Sequence, residues 1–243
     1  MVEGNERFNL NTAINPGAEA TTYDEGLRQH MVRIYNTMAA GLGITGLVAY
    51  ALFASGLVRF MMTPIASFAL LGAMLLFMFV GLNPNKMAGK TVGALRFNFF
   101  AFSALLGAMA ATWFVIYSGQ SIAKVFFITG AMFMGMSLCG NSTKRDLTSM
   151  GSFLVMGVIG LVIAMVVNMF LKSSGLQFVI SCAGVLIYLG LTAYDTQNIK
   201  RLYNANHGGD MNDKLAVFGA LSLYMNFINL MQFLLSLLGN RNN

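Results

Sequence analysis

The stretch QFVISCAGVLIYLGLTAYDTQ, residues 177–197, decides how this chain folds. It is apolar for nearly its whole length and then carries a carboxylate, Asp195, in its last turns. About 20 helical residues, at roughly 1.5 Å each, cross the hydrocarbon of a bilayer. The run is long enough to do so. Its apolar residues are continuous and do not alternate, which predicts a helix with internal backbone bonds and excludes a barrel strand. An ionisable side chain inside a membrane is costly and by default marks an ion or proton path. Two accounts of Asp195 are open at this point: an interior site, or a side chain wetted by interfacial water at the end of the span.

Outward from this stretch, six further runs have spanning length: 34–58, 61–83, 97–117, 123–141, 152–171 and 215–238. The chain of 243 residues is 56% hydrophobic and 10% charged, whereas a soluble domain carries about a quarter charged residues. So much apolar surface requires lipid as part of the solvent. Turn signals such as NPNK at 83–86 and NHGGD at 206–210 punctuate short connections. The expected fold is all-α: one compact bundle of seven transmembrane helices over 31–243, preceded by a polar tail over 1–30. That tail lacks a basic start followed by an apolar stretch, so it does not read as a cleavable signal peptide.

Lys and Arg set the expected orientation. Eleven of the 15 fall before span 1 or in the connections 2–3, 4–5 and 6–7; the other side receives Arg59, Lys124, Lys172 and Arg241. This places the N-terminus in the cytoplasm and, with seven spans, the C-terminus outside. The formal charge of +6 is spread along the chain without a basic stripe, which argues against nucleic acid as a partner. Cys139 and Cys182 lie in apolar runs and read as small packing residues. Small residues at four-residue spacing, Ala104, Ala108 and Thr112, then Ala131, Gly135 and Cys139, suggest close helix approach.

Several chemistries are excluded. GLGITG at 41–46 matches a dinucleotide fingerprint literally, but it lies mid-span with no strand before it. The glycines are better read as helix packing. No span so drawn contains a His, and the one Lys, Lys124, stands at the very start of its span, which argues against an intramembrane protease pair and a mid-span retinal Schiff base. No cluster has zinc-ligand spacing. The chain does not read as an enzyme, and no cofactor is expected.

At 100° per residue, Ser181, Tyr188, Thr192, Asp195 and Asn198 share about a third of the helix circumference. The last run has a matching stripe of Ser222, Asn226, Asn229, Gln232 and Ser236. Polar faces on membrane helices point into the bundle. A short loop joins these two spans, so the stripes are expected to face a shared interior. Structural hydrogen bonding between helices is the competing reading of the same residues.

LTAYDTQNIK at 191–200 and ALSLYMNFINLMQFLLSLLGNR at 220–241 resemble the last two helices of the Bax inhibitor-1 family. GNSTKRDLTSMGSFL at 140–154 resembles that family's loop into helix 5, and MVRIYNTMAAGLGITGLVAY at 31–50 its first span. The resemblance covers nearly all of 28–241. It implies a bacterial-type inner-membrane bundle with the seventh helix surrounded by the other six. It also implies a pH-sensitive calcium leak centred on two aspartates.

Asp195 matches the first aspartate. The second follows SLYL in the family pattern; here SLYM is followed by Asn226. Two close carboxylates titrate as a coupled pair, and Asp with Asn does not. The maximum charge is −1, which weakens a calcium site. The expected function is therefore a weakened Asp–Asn cation path, with Asp195 the calcium acceptor. Ser181, Tyr188, Thr192, Asn198, Ser222 and Asn229 form its polar lining. Lys86 and Lys90 are candidates for the basic latch that the family places at the cytoplasmic mouth. The alternative is an interaction protein that binds and restrains a membrane protease, presenting the tail to it.

Overall fold

A computed structural model describes residues 16–84, 89–204 and 207–242, with side chains described from Glu25 onward. Eight helices follow in chain order. They are α1 (Pro16–Ala54), the single turn α2 (Val58–Met61), α3 (Pro64–Leu76, continued as a π-helical turn over Phe77–Gly81), α4 (Val92–Ile116), α5 (Gly119–Ser142), α6 (Thr148–Leu171), α7 (Ser174–Leu202) and α8 (Gly209–Leu238). All but α2 contribute a segment long and apolar enough to cross a membrane, seven in all. Among the described residues no strand forms. One antiparallel bridge, Tyr117 to Arg241, ties the end of the chain to the α4–α5 turn.

Local chemistry sets the boundaries. Thr63, Thr91, Ser118 and Ser173 each cap a helix by accepting a backbone N–H three residues on. Pro64 occupies the first position of α3, where its missing N–H costs nothing. α6 ends on Lys172 in the left-handed region, φ 49°. The Asn168 side chain then reaches forward to accept from the Ser173 N–H at 3.0 Å.

Three helices run past the limits that hydropathy gives them. α1 begins at Pro16, inside the segment read as tail; Glu25 binds Arg28 and Gln29 one turn ahead, and no proline follows Pro16 to interrupt the helix. Residues 1–15 of that tail lie outside the described residues. α7 continues to Leu202 and α8 starts at Gly209, so Lys200 and Lys214 fall within membrane helices, as does Lys124 in α5. His30, read as part of a polar segment, is 4% exposed inside the bundle.

α8 is the core of the molecule. Over its most apolar window 56% of the residues are buried, against 6% for the α3 span and 11% for α6. It packs chiefly on α7, α1, α5 and α4, while α6 lies on α7 and α3 on α4. The seventh span is thus the most enclosed, although four helices and not six provide most of its cover. Phe99 meets the ring of Tyr224 edge-on at 5.4 Å, and Phe133 meets Phe227 at 5.6 Å.

The small-residue stripes divide. Ala108 is buried, and a Cβ on its neighbour Gly107 would strike the Thr45 carbonyl, so α1 and α4 do approach closely. On α5, however, Ala131, Gly135 and Cys139 are exposed toward lipid. The inward face of α5 is Val125, Thr129, Phe133, Ser137 and Gly140 instead. A period of four residues fixes a face but not which way it points, and on this helix the hydroxyls turn it inward. Of the three glycines in 41–46, only Gly41 is pressed against a neighbour, the Phe99 ring; Gly43 and Gly46 face open space.

Candidate functional site

Asp195 lies on α7 seven residues before its end, and α8 runs antiparallel beside it. Its Oδ2 accepts two hydrogen bonds from α8, one from the Ser222 hydroxyl at 2.6 Å and one from the Asn226 amide at 2.7 Å. Ser222 and Asn226 are four residues apart, so they stack on one helical face and reach the same oxygen. The pairing is possible because α8 begins at Gly209. Asn226 then sits some 17 residues, roughly 25 Å, along the helix. Hydropathy alone, which starts this span at 215, leaves the two side chains out of register.

Among the described residues, no donor reaches the other carboxylate oxygen, Oδ1. Asp195 instead lines a cavity of about 300 Å³ together with Asn198, Ser222, His30 of α1 and Pro84 beyond α3. Leu202 and Phe218 complete its apolar wall. The acid is therefore neither in lipid nor loose in the headgroups. It is half-buried between two helices, with Oδ2 tied and the residue lining a small space.

The remaining stripe residues part into separate groups. Thr192 is fully buried and returns its hydroxyl to the Tyr188 carbonyl. Tyr188 stacks on Phe233 at 5.8 Å. Asn229 donates to Met225 in its own helix, and Gln232 is exposed. Ser181 lies 14 residues from Asp195, about 21 Å along α7. There it joins Ser236, Gln177 and Asn168 in a second polar cluster at the other end of the α7–α8 interface. Between the clusters α8 presents Phe227, Leu230, Met231, Phe233 and Leu234, all buried. Lys90 donates to the Val80 and Gly81 carbonyls and so closes the C-terminus of α3. Lys86 lies outside the described residues.

Sequence reasoning missed several interior polar groups. Thr45 bonds the Tyr224 hydroxyl at 2.6 Å and the Ser103 carbonyl at 2.9 Å. Tyr35, Ser137 and Thr196 form a chain across α1, α5 and α7. Each is a single hydroxyl in a largely apolar run, and the signal was the recurrence of Thr129 and Ser137 at an eight-residue interval. His30 was missed because its neighbours are polar.

Among the described residues, no group of three or more His, Cys, Asp or Glu could hold a metal. A hard cation at Asp195 would meet one carboxylate, a hydroxyl and amide oxygens, with water for the rest. That set suits brief binding, because calcium draws affinity from six to eight oxygens and from carboxylate charge.

A seven-span membrane protein with a carboxylate–amide pair across its last two helices is the class that this geometry defines. The comparisons place it further. The family profile described as inhibitor of apoptosis-promoting Bax1 matches residues 27–243. A protein of Caulobacter vibrioides is 44% identical over 228 residues, 89% of this chain and 90% of that one. A protein of Rickettsia prowazekii is 43% identical over 225 residues, 90% and 93% of the two chains. The inner membrane protein YbhL of Escherichia coli K12 is 37% identical over 220 residues, 89% and 93%. The chain belongs to the Bax inhibitor-1 family, and it is an inner-membrane, multi-pass protein.

Proposed function

We propose that this protein provides a slow, closed-biased cation leak across the inner membrane, with calcium as the principal ion and Asp195 as its acceptor. The observation that carries this reading is that Asp195 lines a cavity while the hydrogen bonds it accepts from Ser222 and Asn226 both go to Oδ2. A single acid that served only to join helices would have no need of an open side. The buried apolar layer from Phe227 to Leu234 supports the closed bias, since over roughly 10 Å of α8 the side chains facing inward are mainly apolar. The charge asymmetry of the loops supports a cytoplasmic position for the cavity end and the N-terminus. Asn226 in place of a second carboxylate weakens the site and makes pH a modulator through one acid and not a coupled pair.

Purified protein in liposomes loaded with a calcium dye tests the reading. The Asp195→Asn variant should lose most of the protein-dependent influx. Equal influx for the variant and the unaltered protein at every pH overturns it.

A second reading has its own support. α1 starts at Pro16, well ahead of the span that begins at Glu25, so a helical segment precedes the membrane. Such a segment suits the restraint of a membrane protease. Deleting residues 1–24 should abolish protease capture from detergent extracts and leave the leak intact.

A further inference from the structure

A second feature lies on the flank of the bundle, away from Asp195. A groove of about 570 Å³ runs between α1 and α4. Arg28 and Arg33 enter it from α1 and Arg96 from α4, with Asn36 beside them and Ala40 and Phe100 further in. Three guanidinium groups from two helices thus share one opening, and among the described residues the acids that compensate them act from outside. Glu25 holds Arg28 at 2.9 Å, and Asp213 of α8 pairs with Arg33. Arg96 makes no ion pair or side-chain hydrogen bond with any described residue, although it is partly buried.

Depth identifies the solvent that this groove meets. α4 ends at Ile116, and counting back about 20 residues for the hydrocarbon layer places Arg96 just at its edge. α1 ends at Ala54, and the same count places Arg33 one residue outside the layer. The arginines therefore stand at the level of lipid phosphates, and the apolar part of the groove, at Ala40 and Phe100, descends to acyl-chain level. Phe97, next to Arg96, is 70% exposed to the same layer. Guanidinium groups bind phosphate oxygens bidentately, with fixed geometry, which lysines do not.

We propose that the α1–α4 groove is a binding site for an anionic phosphate group. Its depth assigns the source as the headgroup of an anionic phospholipid, with Arg96 as the central ligand, and free phosphate is the alternative source. Bound lipid would clamp the N-terminal part of α1 to α4 and stabilise the folded bundle by mass action.

Thermal unfolding of the full chain in a zwitterionic detergent tests this, with phosphatidylglycerol, phosphatidylcholine or inorganic phosphate added. Phosphatidylglycerol should raise Tm in a saturable way, and phosphatidylcholine and inorganic phosphate should not. Arg96→Gln should remove most of the shift while Arg59→Gln, on the other side of the bundle, keeps it. Arg96→Lys should retain only part, and it serves as the folded control if the glutamine variant expresses poorly. An equal phosphatidylglycerol shift in Arg96→Gln and the unaltered protein overturns the site. A full shift with inorganic phosphate alone overturns the lipid assignment.

Discussion

At Asp195 the decisive detail is which oxygen is used. Ser222 and Asn226 both serve Oδ2, so the acid is anchored without being saturated. The amide at 226 then makes a direct prediction. Asn226→Asp replaces a donor by a second carboxylate within reach of the first. The two acids would titrate as a pair, and proton uptake would spread over a wider pH interval than one acid shows. A cation site of charge −2 binds calcium better than one of −1. Calcium influx into liposomes should therefore rise several-fold in alkaline buffer and become steeply dependent on pH. An influx that stays flat with pH in this variant would mean that position 226 does not face the conducted ion. The same residues show what sequence made legible. Asp195 stood out as an isolated acid; the stripe of α8 gave the face that meets it, and the family resemblance singled out Asn226 on that face. The free Oδ1 and the presence of His30 in the cavity were not readable, because both depend on how α1 and the α3–α4 connection close over the site.

Among the elements, the ends of α6 and α7 are where polar chemistry fixes helix positions. Gln197 is buried on α7 and accepts from the Leu147 N–H at 2.9 Å while donating to the Arg145 carbonyl at 2.8 Å. It thus satisfies the connection into α6 from a neighbouring helix. Gln197→Ala leaves a part-buried N–H without a partner, at a cost of about 1 kcal/mol, read as a lower Tm in detergent with little change in leak. Next to it, Asp146 accepts from the Thr148 hydroxyl and N–H and from Arg201 at 2.7 Å. These bonds, those of Thr148 first, hold its carboxyl well below the usual range. A depressed folded value means that the stabilisation is present above the unfolded value of about 3.9 and is lost as pH falls through the folded one. Asp146→Asn should lower Tm at neutral pH, and its deficit should shrink as pH drops below about 4. A deficit that persists unchanged in acid would assign it to lost shape and not to charge. Hydropathy found these helices but misjudged their ends, since it cannot see that Lys200 donates to the Asn141 carbonyl and Lys214 pairs with Asp210. Lysines satisfied in this way can sit within a helix that composition would stop short.

Across the whole molecule, two polar clusters on the α7–α8 interface are separated by a largely apolar layer, which under the proposed function is what holds the path closed. The outer clusters join the helices through Asp195 at one end and through Ser181, Ser236 and Gln177 at the other. The layer between them rests on side chains such as Leu230, which is fully buried, and Phe227. Leu230→Ala should cost about 2–5 kcal/mol, since the cavity left behind adds to the lost burial. Its more telling effect should be on conduction. If the layer is what keeps the path shut, truncating it lets water approach Asp195 from the far side and basal influx rises. That rise should vanish in the double variant Leu230→Ala, Asp195→Asn, because ions still need the acid to leave water. Two sites on one path are coupled, so their effects on influx should be far from additive. A higher influx that survives loss of Asp195 would mean that the truncation opened a non-specific leak through a loosened bundle.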